Sequence, residues 1–373
     1  MEGLAGFLHP ENLMLLWWGL LGVLVLGFSL GEGANLGIAM AQPFLARSEE
    51  ERRVLRNAIG GSWAVHQLWL LLLLVNLLAA WPQVFATALA QWHAVWVVLA
   101  LAFLLRAMAF ELRNRAQERG WRASWDWALF TSAIIPAFLL GVLGGNLFLG
   151  SNFRVVDGEA LLWTGGLLDL FNPFALLVGV LTVCLALLHG GLHLLGVTVY
   201  PLYDRSRRLV MVLSAASLLL LLVLSLWLAL GISGFYLNDG RIQNELGAWV
   251  WRFAQDPLWM LLPVVMLAAW AMVLWMTWED QFRSAQRYAV LGTAALLASG
   301  AISLYPFLLP SQLDPASSLL VTSDGVRPSI LALLIGLHLI LLPPLLLLIA
   351  LLQRRMRGRL TVASLRRNAR TLY

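Results

Sequence analysis

The chain has 373 residues, 60% of them hydrophobic and only 12% charged, with a mean hydropathy of +0.80. Soluble domains carry about 25% charged residues, so composition excludes an ordinary soluble enzyme and points to a polytopic membrane protein. An isoelectric point near 10.0 would suit a nucleic-acid binder, but the 25 basic residues, all arginine, are read as lying in short loops and in the tail, so no nucleic-acid partner is implied.

A membrane-crossing helix needs about 20 apolar residues. Nine such runs follow in order: Leu13–Met40, Trp63–Trp81, Val84–Phe110, Trp127–Gly150, Pro173–Tyr200, Leu209–Tyr236, Pro257–Trp278, Tyr288–Leu309 and Ser329–Gln353. Only Pro82 and Gln83 separate the second and third, which predicts a tight hairpin. The expected fold is an all-α transmembrane bundle forming a single domain over 1–373, with a basic tail at 354–373. Glu2 stands where a signal peptide would carry a basic segment, and the first apolar run is too long for one.

Arginine placement predicts the orientation, because cytoplasmic loops retain positive charge. Arg47, Arg52, Arg53 and Arg56 share one side with Arg113, Arg115, Arg119 and Arg122, with Arg205, Arg207 and Arg208, with Arg283 and Arg287, and with the tail. The opposite loops combine Arg154, Arg241, Arg252 and Arg327 with Asp157, Glu159, Asp169, Asp239, Glu245, Asp256, Asp314 and Asp324. The N-terminus is therefore expected outside, on the periplasmic face, and the C-terminus in the cytoplasm. Trp17, Trp18, Trp81, Trp125, Trp127 and Trp278 fall near span ends, where amphipathic rings favour the headgroup level.

Polar side chains inside the spans mark candidate sites, since an ionisable group at the bilayer centre costs about 2.5–3.5 kcal/mol or more. Glu32 lies in GEGANLG with Asn35 one turn on, and Gly31, Gly33 and Gly37 would admit a neighbouring helix. The pair reads as a proton relay or polar ligand site, or as a helix–helix hydrogen bond. His66 and Gln67, in SWAVHQLW (Ser62–Trp69), read as a second proton-route position or as a histidine bonded to a carbonyl. HGGLH places His189 and His193 on one helix face, as a haem or metal ligand pair or as polar packing that meets a quinone or lipid. No Glu, Asp or Cys cluster accompanies them, so no metal site is assigned. His93 and His338 have no partner in the sequence pattern, and Cys184 reads as a small core residue. There is no Walker motif, GxGxxG, GxSxG or CxxC.

Several strings together resemble cytochrome bd quinol oxidase subunit II across essentially the whole chain. GF…EGANLG is similar to that family's GF…DGFDLG. QPFLARSEEERRVLRNAIGGSWAVHQLWL resembles its Arg-rich loop followed by W-D-G-N-[EQ]-x-W-L, and AAWPQVFA its second-span exit. SWDWALFTSAIIPAFLLGVLGGNLFLG, FNPFALLVGVLTVCLALLHGGLHL, YPFLLPS with ASSLLVTSDGVRPS, and the closing GRL match further family stretches in the same order. The resemblance implies nine spans, a bacterial inner-membrane location, and a heterodimer with a subunit I that carries b-type and d-type haems and the quinol site. It implies a complex that reduces dioxygen to water with quinol, in which this subunit holds no haem, stabilises its partner, and in some members binds a quinone or lipid (candidate contacts Trp63, His189 and His193). Small single-span subunits are further candidate partners.

Departures from the pattern fall on the family's acids. Glu32 keeps one first-span carboxylate and Asn35 replaces the other. Trp63 and Gln67 match W-D-G-N-[EQ], but Ala64, Val65 and His66 stand for its Asp, Gly and Asn. Ala64 cannot carry a proton, so either His66 substitutes for the family acid or protons enter through subunit I. Two other classes stay open at this level: a secondary transporter using Glu32 and the histidines, and a membrane di-haem cytochrome using His189.

Overall fold

A computed structural model describes residues 10–60, 63–156, 160–163, 166–322 and 328–355. Ser62, Arg327, the Ala64 side chain and residues 356–373 of the expected tail lie outside the described set. The chain is a bundle of long helices: α1 Pro10–Leu45, α2 Glu49–Gly60, α3 Trp63–Ala80, α4 Pro82–Gln91, α5 His93–Leu112, α6 Arg119–Leu149, α7 Pro173–Val197, α8 Leu202–Gly231, α9 Ala248–Gln255, α10 Leu261–Trp278, α11 Phe282–Leu304 and α12 Pro328–Arg355.

Seven helices, α1, α5, α6, α7, α8, α10 and α11, are long and apolar enough to cross a bilayer. The 18-residue α3 meets the same test only together with α2, across a 40° change of axis. The charged first two turns of α2 stand outside the apolar segment; its acidic opening, Glu49 to Glu51, suits the positive end of the helix dipole. In α12 the apolar stretch Ser329–Pro344 ends at the Pro343-Pro344 pair.

The structure moves several predicted limits. The third run is broken: α4 ends at Gln91 and α5 begins at His93. Trp92 between them has φ −110° and ψ 24°, off the helical backbone, and its ring is buried in the core. The Ala88 carbonyl accepts both the Trp92 N–H and the Trp96 indole N–H, each at 3.1 Å, which fixes the bend. Two other runs end early because their last residues pair as strands. Tyr236 belongs to β3 (Ser233–Asn238), and Phe307–Leu309 forms β5. An all-α description therefore omits three antiparallel hairpins at one end of the bundle: β1 Phe153–Val156 with β2 Ala160–Trp163, β3 with β4 Arg241–Leu246, and β5 with β6 Leu319–Leu320. The β3–β4 turn places Asp239 at φ 47° and Gly240 at φ 75°, the left-handed pair that a two-residue hairpin of this twist requires.

The bundle thus has a hairpin end and an arginine end. Near its middle α1 packs against α3, α6 and α7. The tightest approach joins Gly37 to Gly190. A methyl group at Gly37 would strike the Ala186 carbonyl, and one at Gly190 would strike the Gly37–Ile38 backbone. At the hairpin end, indole N–H groups hold the last elements: Trp81 donates to the Val321 carbonyl at 2.9 Å and Trp17 to that of Leu331 at 3.3 Å.

Candidate functional site

Glu32 is 0% exposed and Arg106, from α5, is 1% exposed; the two form an ion pair. Gln67 Nε2 from α3 donates to the same carboxylate at 2.8 Å, and Asn35 Nδ2 at 3.4 Å. One carboxylate therefore ties together α1, α3 and α5. The arrangement answers the energetic problem of an acid in an apolar bundle, because its charge is compensated and its oxygens are hydrogen-bonded. The Arg106 guanidinium also lies 5.2 Å from the Phe103 ring centroid, while its Nε and Nη2 have no partner among the described residues.

His66 packs on the same spot from α3. Gly31 makes room for it, since a Cβ there would overlap the imidazole. The ring is 5% exposed and its Nδ1 has no hydrogen-bond partner among the described residues. The structure thus brings together all four predicted proton-route positions, Glu32, Asn35, His66 and Gln67. It adds Arg106, which the sequence reading missed by placing the arginines in loops. A single arginine inside the apolar run from Ala94 to Ala109 was the available signal, because such a group demands a buried counter-charge.

Ten residues along α1, about 15 Å at the helical rise, a second polar centre closes the arginine end. Asp126 of α6 is 4% exposed. Arg113, 1% exposed, binds it bidentately, with Nε at 2.6 Å and Nη2 at 2.9 Å. Gln42 Nε2 donates to Asp126 at 2.7 Å, Arg52 Nη1 at 3.2 Å, and Arg56 Nη1 stands 3.6 Å away. Arg113 also reaches Glu49, at 2.9 and 3.1 Å. Burial pushes the Glu49 carboxyl up, but the hydrogen bonds and charge of Arg113, with Arg56 behind it, hold it below its ordinary range. Glu51 is likewise held low against burial, chiefly by Arg205, which also donates to the Leu45 carbonyl. These contacts fix α2 against Arg113, Asp126 of α6 and Arg205 of α8.

The two histidines of α7 differ in their surroundings. His189 is half-buried, bonded through Nε2 to Thr293 Oγ1 at 2.9 Å and set edge-on to Trp270 at 6.0 Å. Thr293 spends its hydroxyl proton on the Ala289 carbonyl at 2.8 Å, so the His189 Nε2–H donates. His193 is exposed. Trp63 stacks on Phe110, with centroids 5.5 Å apart and planes within 9°. His338 pairs with Asn76 of α3 at 2.9 Å, tying α12 to the bundle. Among the described residues no three His, Cys, Asp or Glu side chains gather as metal ligands would.

A bundle of long apolar helices, with an arginine-neutralised carboxylate at a three-helix contact, is an integral membrane protein whose polar chemistry lies between helices. Residues 13–356 match the cytochrome bd terminal oxidase subunit II family, and the chain belongs to it. It is a subunit of an oxidoreductase complex of that type, and the transporter and di-haem readings are not favoured. The chain is 29% identical to the cytochrome bd-I ubiquinol oxidase subunit 2 of Escherichia coli K12, over 97% of this chain and 99% of that protein. It is 30% identical to a probable cytochrome oxidase subunit 2 of Haemophilus influenzae, over 83% and 85%. Its fold resembles a chain of the bd oxidase structure from Geobacillus thermodenitrificans, with a TM-score of 0.63 at 16% identity, covering 91% of this chain and 98% of the other.

Proposed function

We propose that this chain is the haem-free accessory subunit of a bacterial inner-membrane quinol:dioxygen oxidoreductase. In this reading it crosses the membrane nine times, with the arginine end and the C-terminal tail in the cytoplasm, and docks laterally on a haem-bearing subunit I. When bound there, the b-type and d-type haems supply electron transfer from quinol to dioxygen. This chain's share is to stabilise the partner and to offer a proton-exchanging station. Family membership, arginine placement and the nine apolar runs support the reading.

The observation that carries the station is the Glu32 carboxylate held by Arg106, Gln67 and Asn35, with the free Nδ1 of His66 packed beside it at Gly31. In this arrangement Gln67 and Asn35 orient the carboxylate. His66 supplies the titratable group that Ala64 lacks. A quinone or lipid contact at His189, His193 and Trp63 belongs to the same proposal, with exposed His193 as the first point of encounter.

The test is Glu32→Gln in the assembled complex. Dioxygen consumption with a short-chain quinol should fall by about tenfold or more, as expected for loss of an acid–base group, at unchanged haem absorbance. Loss of haem would make Glu32 structural, and unchanged turnover would make it a bystander.

A further inference from the structure

At the hairpin end, the short helix α9 is tethered to a membrane-crossing segment at each of its ends. The segment that contains α10 begins at Pro257, so only Asp256 separates it from the last residue of α9, Gln255. The segment formed by α8 ends at Gly231, and a Cβ on Gly247, the residue before α9, would stand 4.0 Å from the Ala229 carbonyl oxygen of α8. Eight residues of helix span about 12 Å, so α9 runs along the level where two spans end. One side of it is core. Trp249 and Phe253 are buried, Trp249 lies edge-on to Phe148 at 5.5 Å, and Gly234 makes room for its ring. The other side continues an apolar strip that nothing in this chain covers. Leu246 is 66% exposed, Trp251 41%, Leu258 70%, Trp259 38% and Met260 46%.

Such a strip is unsuited to water, where exposed large apolar groups rarely adjoin. Its charges are drawn inward. The Arg252 guanidinium lies over the Tyr305 ring at 4.6 Å, and Asp256 Oδ1 accepts the Leu258 N–H at 3.2 Å. Its ends merge with exposed apolar positions of the two spans, Leu230 of α8 and Leu261 of α10. Indoles flanked by leucine and methionine at a span end match the headgroup–acyl boundary, where amphipathic rings and short in-plane helices settle. Polarity returns with distance. The β3–β4 tip, about 17 Å along the strand from Ser233, the partner of Leu246, presents exposed Asn238, Asp239 and Arg241. We propose that Leu246, Trp251, Leu258, Trp259 and Met260 form an interfacial anchor seated in the phospholipid leaflet at the hairpin end. The anchor requires only that α8 and α10 cross the membrane and is independent of where the haems lie.

The experiment uses the whole oxidase complex in nanodiscs of phosphatidylethanolamine and phosphatidylglycerol. Photoreactive p-benzoylphenylalanine replaces Trp251, Leu258 or, as the water-facing comparison, Asn238. All three side chains are exposed, so haem absorbance should match that of the wild type and certify assembly. After illumination, the mass of this chain is read. At Trp251 and Leu258 the chain should gain the mass of one phospholipid, and at Asn238 it should not. Leu246, on β4, is a further position whose adduct does not depend on the turn at Pro257–Met260. An adduct to another polypeptide at Trp251 or Leu258 would make the strip a protein interface and overturn the proposal. Lipid adducts no more abundant there than at Asn238 would leave the strip in water and overturn it equally.

Discussion

Arg106 and Glu32, 74 residues apart in sequence, meet as an ion pair that is almost wholly enclosed by the bundle. Enclosure makes each charge dependent on the other. Removing one member of a buried pair typically costs about 3–5 kcal/mol, because the survivor is left desolvated and uncompensated. Glu32→Gln and Arg106→Gln should therefore each lower the thermal unfolding midpoint of the complex. The double variant should recover a large part of the loss, and a cycle showing simple additivity would mean that the two side chains are not coupled.

Asp126 occupies the equivalent position for the arginine end, where one carboxylate answers Arg52, Arg56, Arg113 and Gln42. Asp126→Asn should release α2 without touching the apolar spans. Trypsin should then cut after Arg52 and Arg53 about tenfold faster than in the wild type, as expected when about 1.4 kcal/mol is removed from local opening. Equal cleavage rates would show that other contacts hold α2.

Glu49 gives the same network a pH dependence. Its carboxyl is held below the ordinary 4.5, mainly by Arg113 acting against burial. A depressed folded-state value means that the stabilisation is fully present above the unfolded value and is lost as pH falls through the folded one. Glu49→Gln should thus be less stable than the wild type at neutral pH, and the gap should close only once the pH drops below 4.5. The side chain is 46% exposed, so solvent screening keeps the effect small.

Gly37 and Gly33 separate close packing from mere composition. The sequence gives both the same reading, room for a neighbouring helix, but only Gly37 faces backbone, at Ala186, while Gly33 has open space where a side chain would go. Gly37→Ala should reduce the yield of assembled complex. Gly33→Ala should be neutral or stabilising by up to about 1 kcal/mol, since alanine favours a helix over glycine. Thermal midpoints of the two variants decide the point.

These contrasts show what a linear sequence carries. Apolar runs located the long helices because burial in lipid is written in composition over about 20 residues. Glu32, Asn35, His66 and Gln67 stood out because polar groups in such runs are costly. The break at Trp92 did not, because a bend made by one residue's backbone leaves the hydropathy unchanged. The hairpin strands were hidden for a related reason. Phe307–Leu309 continues an apolar run, and only its pairing with Leu319–Leu320 makes it a strand. Nor did Arg106 and Asp126 emerge as partners of Glu32 and Arg113, because charge pairing across helices depends on the fold.

His189 bears on the question of iron in this chain's own helices. Its Nε2–H is committed to Thr293, whose hydroxyl is in turn committed to Ala289. Ligation through that nitrogen would require breaking the bond and turning the ring from beside Trp270. His193, one turn on, is exposed. If the haems belong to the partner, His189→Leu and His193→Leu should leave the reduced-minus-oxidised spectrum of the purified complex unchanged in shape and in haem per heterodimer. His189→Leu should still lower thermal stability, because it deprives Thr293 of a donor and leaves a polar oxygen facing an apolar side chain. Loss of a haem band in either variant would place an iron ligand on α7 and would contradict the haem-free assignment directly.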